Sequence, residues 1–362
     1  MKDFTGFKKG MGIGGWLTNY KRFHVLPPER RMMLTIGDFE HFASYITERD
    51  VEYIASLGLD HIRLGFDQIV VEEEPYRYRE IILEYIENFI LWCKKYNLNV
   101  VLNLHKSLGN YCDVGAEISL LESEDLQNRF VALWEMMEDR YSEYPDVAFE
   151  LLNELRGTES DRWNILAERT VKAIRDKSPT RKIIIGGAGG NYPQFLKDLK
   201  LYDDENIIYT FHNYAPFDFT HQRGVLMPGC CFSNRDMPYP CDVARYKECW
   251  VERTGDEGHF DGIERIDKEY LRREMQGAFD FVKNNPDKIL WCGEFGTIRH
   301  AKIEWRENYM RDMISLLKEH DIPYCVWNYL STPNDGNRFS LVDDDNRKIL
   351  SEEMARIIKG EV

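Results

Sequence analysis

The sequence predicts a (β/α)8 barrel, the TIM-barrel fold, and three observations support this fold class. The chain has 362 residues, which suits the ~250 to 400 residues of a single such barrel. Its 43% hydrophobic and 30% charged residues are typical of a globular protein. Apolar runs of strand length alternate eight times with helical patterns, as parallel strands buried on both faces require. An open doubly wound sheet shares this alternation, but it would need a crevice at a switch point and usually a phosphate loop.

The eight strand candidates are spread along the whole chain. They cover residues 11–17, 60–66, 99–105, 147–154, 182–187, 206–214, 289–296 and 323–329. Helical patterns between and after them cover residues 80–96, 126–141, 161–177, 192–200, 268–283, 304–319 and 347–358. One more helix, before the second strand, is expected to begin at a capping box of Thr47 and Asp50 and to end at Gly58.

One connection is much longer than the others. Residues 215–265 follow the sixth strand candidate and exceed an ordinary βα connection. We predict an elaborated loop that overhangs the active face. No proline-rich or serine-rich linker divides the sequence, so we expect residues 1–362 to form a single catalytic domain that contains this loop.

Composition excludes several classes of protein. With 47 Lys and Arg against 62 Asp and Glu, the net charge of −15 repels polyanions, so neither nucleic acid nor an acidic membrane is an expected partner. The first residues lack the apolar segment of a signal peptide, and no run approaches the ~20 apolar residues of a membrane span. Cys93, Cys292 and Cys325 lie in apolar runs and are expected to be reduced. The sequence as given therefore indicates a cytoplasmic protein, or a secreted one if a leader peptide has been removed.

Polar or aromatic side chains lie late in most strand candidates, at the end where barrel enzymes carry their chemistry. They are Arg63, His105, Asn153, Glu154, His212, Tyr214, Glu294 and Trp327. A single one could be structural, but two carboxylates from separate strands, Glu154 and Glu294, are harder to dismiss because burying charge is costly. Two opposed carboxyl groups are the minimal apparatus for cleaving a glycosidic bond: one gives a proton to the leaving oxygen and the other meets the oxocarbenium-like centre.

Short motifs around these residues resemble glycoside hydrolase family 5, especially clostridial-type endoglucanases that lack a signal peptide. The motifs lie at residues 63–66 (RLGF), 153–154 (NE), 212–214 (HNY), 293–296 (GEFG) and 327–329 (WNY), with further likeness at 92–98 and 211–222. The resemblance implies that Glu154 is the acid/base and Glu294 the nucleophile. It also implies that the other residues line the subsite of the cleaved sugar: Arg63, His105, Asn153, His212, Tyr214 and Trp327.

Two positions depart from the pattern of that family. Leu155 stands where many members have a proline after the acid/base, which affects only the turn. Lys106 stands where many members have a second histidine, which leaves the specificity on the glycone side open.

The resemblance implies a retaining endo-β-1,4-glucanase that acts on cellulosic or mixed-linkage β-glucans or cello-oligosaccharides. A monomer without cofactor or metal is expected. Three alternatives remain open: a β-mannanase, a β-1,3-glucanase and a non-catalytic carbohydrate-binding barrel. The presence of both glutamates argues against the binding protein, which needs no acid beside a nucleophile.

Three weaker motifs are given structural interpretations. Gly10, Gly12 and Gly15 satisfy G-x-G-x-x-G, but a dinucleotide site needs a strand before the glycines and a helix after them. Residues 186–190 are glycine-rich without the Lys-Ser/Thr of a P-loop. Four cysteines of the long loop lack the paired spacing of a zinc site: Cys230, Cys231, Cys241 and Cys249.

Overall fold

Eight parallel strands close into a barrel in the computed structural model, which describes residues 4–18, 34–110, 118–224, 234–332, 335 and 337–361. The strands are β1 Lys9–Leu17, β2 His61–Asp67, β3 Asn99–Lys106, β4 Val147–Glu150, β5 Ile183–Gly186, β6 Ile207–His212, β7 Ile289–Phe295 and β8 Tyr324–Val326. Neighbours around the barrel follow chain order, and β8 closes the ring by pairing with β1. The predicted (β/α)8 barrel is confirmed.

Helices connect the strands. The longer ones are Ile36–Ser44, Glu48–Ser56, Glu80–Lys95, Glu124–Tyr141, Ser160–Arg175, Ala244–Thr254, Lys268–Glu274, Gln276–Asn284, Ile303–Glu319 and Glu352–Ile358. Shorter turns of helix are Gln68–Val71, Ala188–Asn191, Phe217–Thr220 and the 3-10 segment Pro193–Asp198. The expected capping box is present, because the backbone N–H of Thr47 donates to Asp50 Oδ2 at 2.8 Å. No helix of these described ranges is both long and apolar enough to cross a membrane.

Two of the longer predicted helices differ most from their expected bounds, and the short one predicted over 192–200 is the 3-10 segment Pro193–Asp198. The pattern over 268–283 is divided at Met275, and the second half then packs so closely on Pro193 that a Cβ on Gly277 would lie 2.5 Å from the Pro193 carbonyl oxygen. The pattern over 347–358 yields a helix only from Glu352. The residues before it form a turn in which the Asp343 carboxylate accepts backbone N–H groups, and Ser351 then caps the helix.

The barrel interior changes from apolar to polar along its axis. Phe4 and Phe7 stack with ring centroids 4.5 Å apart and close the amino end of the barrel against Trp291. Further along β2 and β4, Arg63 and Glu150 are fully buried and paired inside the barrel. The apolar plug thus lies below a buried layer of charge that supports the carboxyl end.

The described parts of the long connection after β6, residues 215–224 and 234–265, are structured. They contain two of the helices given above and a two-stranded ribbon of Cys241–Asp242 with Arg265–Ile266. The Tyr239 hydroxyl donates to Asp312 of helix Ile303–Glu319 at 2.9 Å, so this part packs on the outside of the barrel. Residues 215–224 are the part that approaches the carboxyl end, while Cys230 and Cys231 lie outside the described residues.

Candidate active site

The eight predicted site residues come together at the carboxyl end of the barrel. Each contacts at least one other member of the group: Glu294 contacts Arg63 and Tyr214, Arg63 contacts Asn153, Glu154 contacts His212, and His105 contacts Trp327. Seven of them are buried, and Glu154 is partly exposed. The glycines of the discounted G-x-G-x-x-G motif lie within β1, where a Cβ on Gly12 would lie 2.6 Å from the Trp327 ring.

A β-bulge in β7 turns Glu294 toward the site. Trp291 belongs to the interior cluster, so simple alternation would direct Gly293 inward and Glu294 outward. The register shifts between Cys292 and Glu294 instead, and such a bulge re-aims a side chain. A Cβ on Gly293 would lie 2.6 Å from Thr210 Oγ1, so glycine is needed where the strand bends.

Both carboxylate oxygens of Glu294 accept hydrogen bonds. Arg63 Nη1 donates to Oε2 at 2.6 Å, and the Tyr214 hydroxyl donates to Oε1 at 2.6 Å. Burial first, and then the nearby Glu294, raise the pKa of Tyr214 well above its usual range, so the phenol keeps its proton. Glu294 is thereby fixed in orientation by one cation and one neutral donor.

Arg63 is fully buried and binds two carboxylates at once. Its Nε and Nη2 donate to Glu150 at 2.6 and 3.0 Å, while Nη1 is directed to Glu294. Burial opposes the guanidinium charge, but Glu150 and Glu294 outweigh that effect and raise the pKa of Arg63. A second bond from Nη2, to Asn153 Oδ1 at 2.5 Å, connects the cation to the loop that carries Glu154.

Glu154 lies beyond the end of β4, on backbone held from both sides. The N–H of Asn153 donates to the Leu104 carbonyl at 2.9 Å, and Asn110 Nδ2 donates to the Glu154 carbonyl at 2.9 Å. The Glu154 side chain is 25% exposed, and its Oε1 is hydrogen bonded to His212 Nδ1 at 2.9 Å. Burial lowers the pKa of His212 to about 4 against the opposing effect of Glu294, so the ring is neutral near pH 6.

The two catalytic candidates lie close together. One oxygen of Glu154, one oxygen of Glu294 and a ring nitrogen of His212 all lie within 4.8 Å of one another. That spacing alone would also admit a cation. However, Glu294 is already bonded to Arg63, whose charge disfavours a second cation there.

Trp327 and His105 form the aromatic side of the site. Their rings stack with centroids 5.3 Å apart and an interplanar angle of 8°. Burial, with Arg63 adding to it, lowers the pKa of His105 well below its usual value. The histidine is therefore a neutral support for the indole.

The sequence-based prediction missed several residues that support the site. Glu150 was included in the apolar run of β4, although its alternation with the interior residue Ala148 could have indicated an inward side chain. Asn191 follows the glycine-rich turn after β5 and donates to the Asn153 carbonyl at 2.5 Å, a contact without a sequence signal. The rings of Tyr192 and Phe217 meet at 5.8 Å beside the site, and Glu154 contributes to the raised pKa of Tyr192 after burial.

Comparisons with known proteins find similar sequences and similar solved structures. The family profile described as Cellulase (glycosyl hydrolase family 5) matches residues 30–332. Endoglucanase C of Acetivibrio thermocellus is 38% identical over 359 residues, covering 98% of each chain. Cellodextrinase A of Ruminococcus flavefaciens is 30% identical over 330 residues, covering 89% of this chain and 85% of the relative. A solved hyperthermophilic endo-β-1,4-glucanase, in complex with substrate, shares the fold with a TM-score of 0.72 at 20% identity, covering 98% of this chain and 97% of that one.

Proposed function

Because the chain belongs to glycoside hydrolase family 5, we propose that it is a retaining endo-β-1,4-glucanase acting on cellulosic or mixed-linkage β-glucans. The observation that carries this proposal is the approach of the Glu154 and Glu294 oxygens to within 4.8 Å. Retaining glycosidases hold their carboxyl groups ~5 to 5.5 Å apart, whereas inverting ones leave ~6.5 to 9.5 Å for a water molecule. The spacing therefore favours direct attack on the sugar by one carboxylate.

The surroundings of the two carboxyl groups support different roles. Glu294 accepts bonds from Arg63 and Tyr214 on both oxygens, which holds its carboxyl group in the fixed orientation that a nucleophile needs. Glu154 is more exposed and meets a neutral His212, so it can carry a proton and exchange it. We assign Glu294 as the nucleophile and Glu154 as the acid/base.

The reaction then proceeds by double displacement. Glu294 attacks the anomeric carbon while Glu154 protonates the departing glycosidic oxygen, so the carbon–oxygen bond breaks and a glycosyl-enzyme forms. In the second step Glu154, now ionised, takes a proton from the attacking water, and the bond to Glu294 breaks. Two inversions at one carbon return the β-configuration.

The remaining predicted residues are assigned to the subsite of the cleaved sugar. Trp327 presents an indole supported by His105, and flat aromatic rings suit the apolar face of a pyranose. Asn153, His212 and Tyr214 place polar atoms around the carboxylates and support binding of sugar hydroxyls.

The proposal also includes a monomeric enzyme in a reducing compartment, acting without nucleic acid or cofactor. The net charge of −15 supports the exclusion of polyanions. Cys93, Cys292 and Cys325 are free thiols buried in the fold, which suits the cytoplasm. Light scattering of the purified protein tests the monomer directly.

A product profile tests the substrate class. Activity is measured side by side on barley β-glucan, carboxymethyl cellulose, glucomannan, galactomannan and laminarin. We expect hydrolysis of β-glucan and carboxymethyl cellulose, with the early fall in viscosity that internal cleavage causes. Activity on galactomannan alone would make the protein a mannanase, and activity on laminarin alone a β-1,3-glucanase. No activity on any of them would revive the carbohydrate-binding alternative.

Azide rescue tests the division of labour between the two glutamates. Glu154→Ala keeps its nucleophile, so on an aryl cellobioside with a good leaving group it should form the intermediate, stall and give a β-glycosyl azide. Glu294→Ala lacks the nucleophile, so azide can attack only from the vacated side and give the α-azide. Both variants should lose several orders of magnitude in kcat. Glu159→Ala, an exposed carboxylate on the same loop as Glu154, is the control and should keep wild-type activity.

The first product of the wild-type enzyme provides an independent test. Proton NMR should show the β-anomer before mutarotation. An α-anomeric first product would contradict the retaining mechanism and leave the family assignment intact.

A further inference from the structure

Glu150 is a fully buried carboxylate that the mechanism above does not use. It is the last residue of β4 and lies inside the barrel, four residues before Glu154. Its Oε2 accepts from Arg63 Nε at 2.6 Å, and its Oε1 accepts from Arg63 Nη2 at 3.0 Å. A two-pronged pair of this kind fixes the plane of the guanidinium as well as its position.

The orientation of Arg63 determines how it meets the nucleophile. With Nε and Nη2 bound to Glu150, the remaining nitrogen, Nη1, points to Glu294 Oε2 at 2.6 Å. One positive charge is thus divided between two carboxylates. Glu294 therefore receives an oriented hydrogen bond from a guanidinium whose charge is shared with Glu150. A guanidinium that interacted with Glu294 alone would make this carboxylate a weaker nucleophile.

Glu150 also faces the acid/base side of the site. Its Oε1 lies 4.0 Å from His212 Nε2, and the opposite nitrogen of the same ring is bonded to Glu154 Oε1 at 2.9 Å. Asn191 Nδ2 lies 3.5 Å from His212 Nε2 and shares that side of the ring. Glu150 is therefore linked to Glu294 through Arg63 and to Glu154 through His212.

We propose that Glu150 is a positioning residue that orients Arg63 and sets the ionisation of both catalytic carboxyl groups. This inference rests on the proposed function, because it assumes that Glu154 and Glu294 carry the reaction. Glu150 does not reach substrate and acts only through Arg63 and His212.

A charge count explains why such a residue is useful. The titratable groups around Glu150, its partners Arg63 and His212, and the two catalytic carboxyl groups come from neighbouring strands and the loop after β4: Arg63, His105, Glu154, His212, Tyr214, Glu294 and Cys325. Burial lowers the pKa of both histidines and raises the pKa of the Cys325 thiol, so these three groups are neutral near pH 6.

With Glu154 protonated, Arg63 and the carboxylates of Glu150 and Glu294 together carry a net charge of −1. That charge faces the developing positive charge of the sugar in the transition state. Removing the charge of Glu150 brings the sum to zero and withdraws this stabilisation.

The chain offers a matched control. Glu138 forms the same kind of buried two-pronged pair with Arg181, at 2.6 and 3.2 Å, away from the carboxyl end of the barrel. Glu150→Gln and Glu138→Gln each remove the charge of one carboxylate from a buried glutamate–arginine pair. Both should lower thermal stability, so a purely structural role predicts the same outcome for the two variants.

The test is the pH profile of kcat/KM on an aryl β-cellobioside. The wild type should give a bell. Loss of a neighbouring negative charge favours the ionised form of both catalytic groups, so both limbs of the Glu150→Gln bell should move to lower pH by about one unit. Its kcat should fall by about 100-fold, the scale of a misplaced catalytic group. Glu138→Gln should keep the wild-type limbs and kcat.

Two results would overturn the inference. One is a Glu150→Gln bell whose limbs coincide with those of the wild type. The other comes from Glu150→Asp, which keeps the charge but is one methylene too short to hold both nitrogens of Arg63. The pH profile of Glu150→Asp should have the same limbs as that of the wild type, while its kcat should fall. This variant also tests the inference if Glu150→Gln fails to fold. A wild-type kcat in Glu150→Asp would refute positioning. Failure of the proposed function is distinguishable, because it would show as an inactive wild type.

Discussion

At the scale of single residues, Tyr214 is the simplest way to examine how Glu294 is held. Its hydroxyl donates to Glu294 Oε1 at 2.6 Å. Removal of the Tyr214 hydroxyl leaves the hydrogen bond from Arg63 to Glu294 Oε2 in place. A hydrogen bond to a charged group is worth about 1.5 to 3 kcal/mol. Tyr214→Phe should therefore lower kcat by about 10- to 100-fold. The acidic limb of its pH profile should move to higher pH, because the ionised carboxylate loses a donor.

A second buried tyrosine provides the control for this substitution. Tyr309 is also fully buried, and its hydroxyl donates to the backbone carbonyl of Asn213 at 3.3 Å rather than to a carboxylate. Tyr309→Phe should cost stability without moving the pH profile, measured as kcat/KM against pH on an aryl cellobioside. Equal profiles for Tyr214→Phe and the wild type would show that the hydroxyl does not act on Glu294.

Single residues also show where sequence-based prediction of the site reaches its limit. Glu154 and Glu294 could be found because a carboxylate that closes an apolar run stands out and the barrel brings strand ends together. Glu150 could not be found in the same way, since it lies within the run VAFELL. Its partner Arg63 is 87 positions earlier, and only the register of the closed barrel brings the two together.

At the scale of elements, the long connection after β6 is bound to the outer helices. Tyr239 is fully buried, packs on Phe219 and Tyr309, and donates to Asp312. Arg253 of helix Ala244–Thr254 forms a two-pronged bond with Asp218 at 2.7 and 3.1 Å. These contacts make the described part of the connection a layer of the fold.

Truncation of Tyr239 tests this structural role. Tyr239→Ala removes a buried ring and a hydrogen bond, so the free energy of unfolding should fall by about 3 to 5 kcal/mol. The kcat of the folded enzyme should change little, because Tyr309 and Asp312 lie on the outer helix and the third contact, Phe219, is not one of the site residues. Urea unfolding and kcat on an aryl cellobioside measure the two effects. Tyr76→Ala, at a side chain that is 51% exposed, is the control and should stay within about 0.5 kcal/mol of the wild type. A large loss of kcat in the folded Tyr239→Ala variant would instead support the prediction that this connection overhangs the active face.

Most elements could be predicted because their local signals agree with the tertiary structure. The capping box at Thr47 and Asp50 is such a case. Predicted strands are too long where the chain leaves the sheet at the carboxyl end of the barrel. For example, β4 ends at Glu150, although the apolar run continues to Leu152. The helix over 268–283 was predicted as one because apolar periodicity does not report the break at Met275, after which the second helix packs closely on Pro193.

At the scale of the whole molecule, the two ends of the chain stabilise each other. Arg347 and the Tyr329 hydroxyl both donate to Asp50 of an early helix. Near the last residues, Lys9 Nζ donates to the Lys359 carbonyl at 3.0 Å and the Tyr324 hydroxyl donates to the Ile358 carbonyl at 2.9 Å. Closure of the barrel between β1 and β8 therefore involves side chains from both ends, and the fold should unfold as one unit.

Three buried histidines connect the stability of that unit to pH. Burial lowers the pKa of His212 to about 4 and of His221 to about 3, and it lowers the pKa of His105 as well. An unfolded histidine titrates near 6.5. Below that pH the unfolded chain takes up protons that the folded chain does not, so each histidine withdraws stability as the pH falls toward its folded pKa.

His221 isolates this effect, because the mechanism assigns it no role. It lies among Phe217, Tyr214 and Phe339. Between pH 6.5 and 3, its lowered pKa can reduce the free energy of unfolding by roughly 5 kcal/mol. His221→Gln cannot take up that proton. The variant should be less stable than the wild type at pH 7, since packing and a contact with Thr220 change, yet its free energy of unfolding should fall less steeply with acid.

Carboxylates contribute to the fall in stability with acid in both proteins, so the difference between the two slopes isolates the contribution of His221. Urea unfolding at pH intervals from 7 to 3.5 gives these slopes, and a His221→Gln curve parallel to that of the wild type would mean that the buried ring accepts a proton in the folded state.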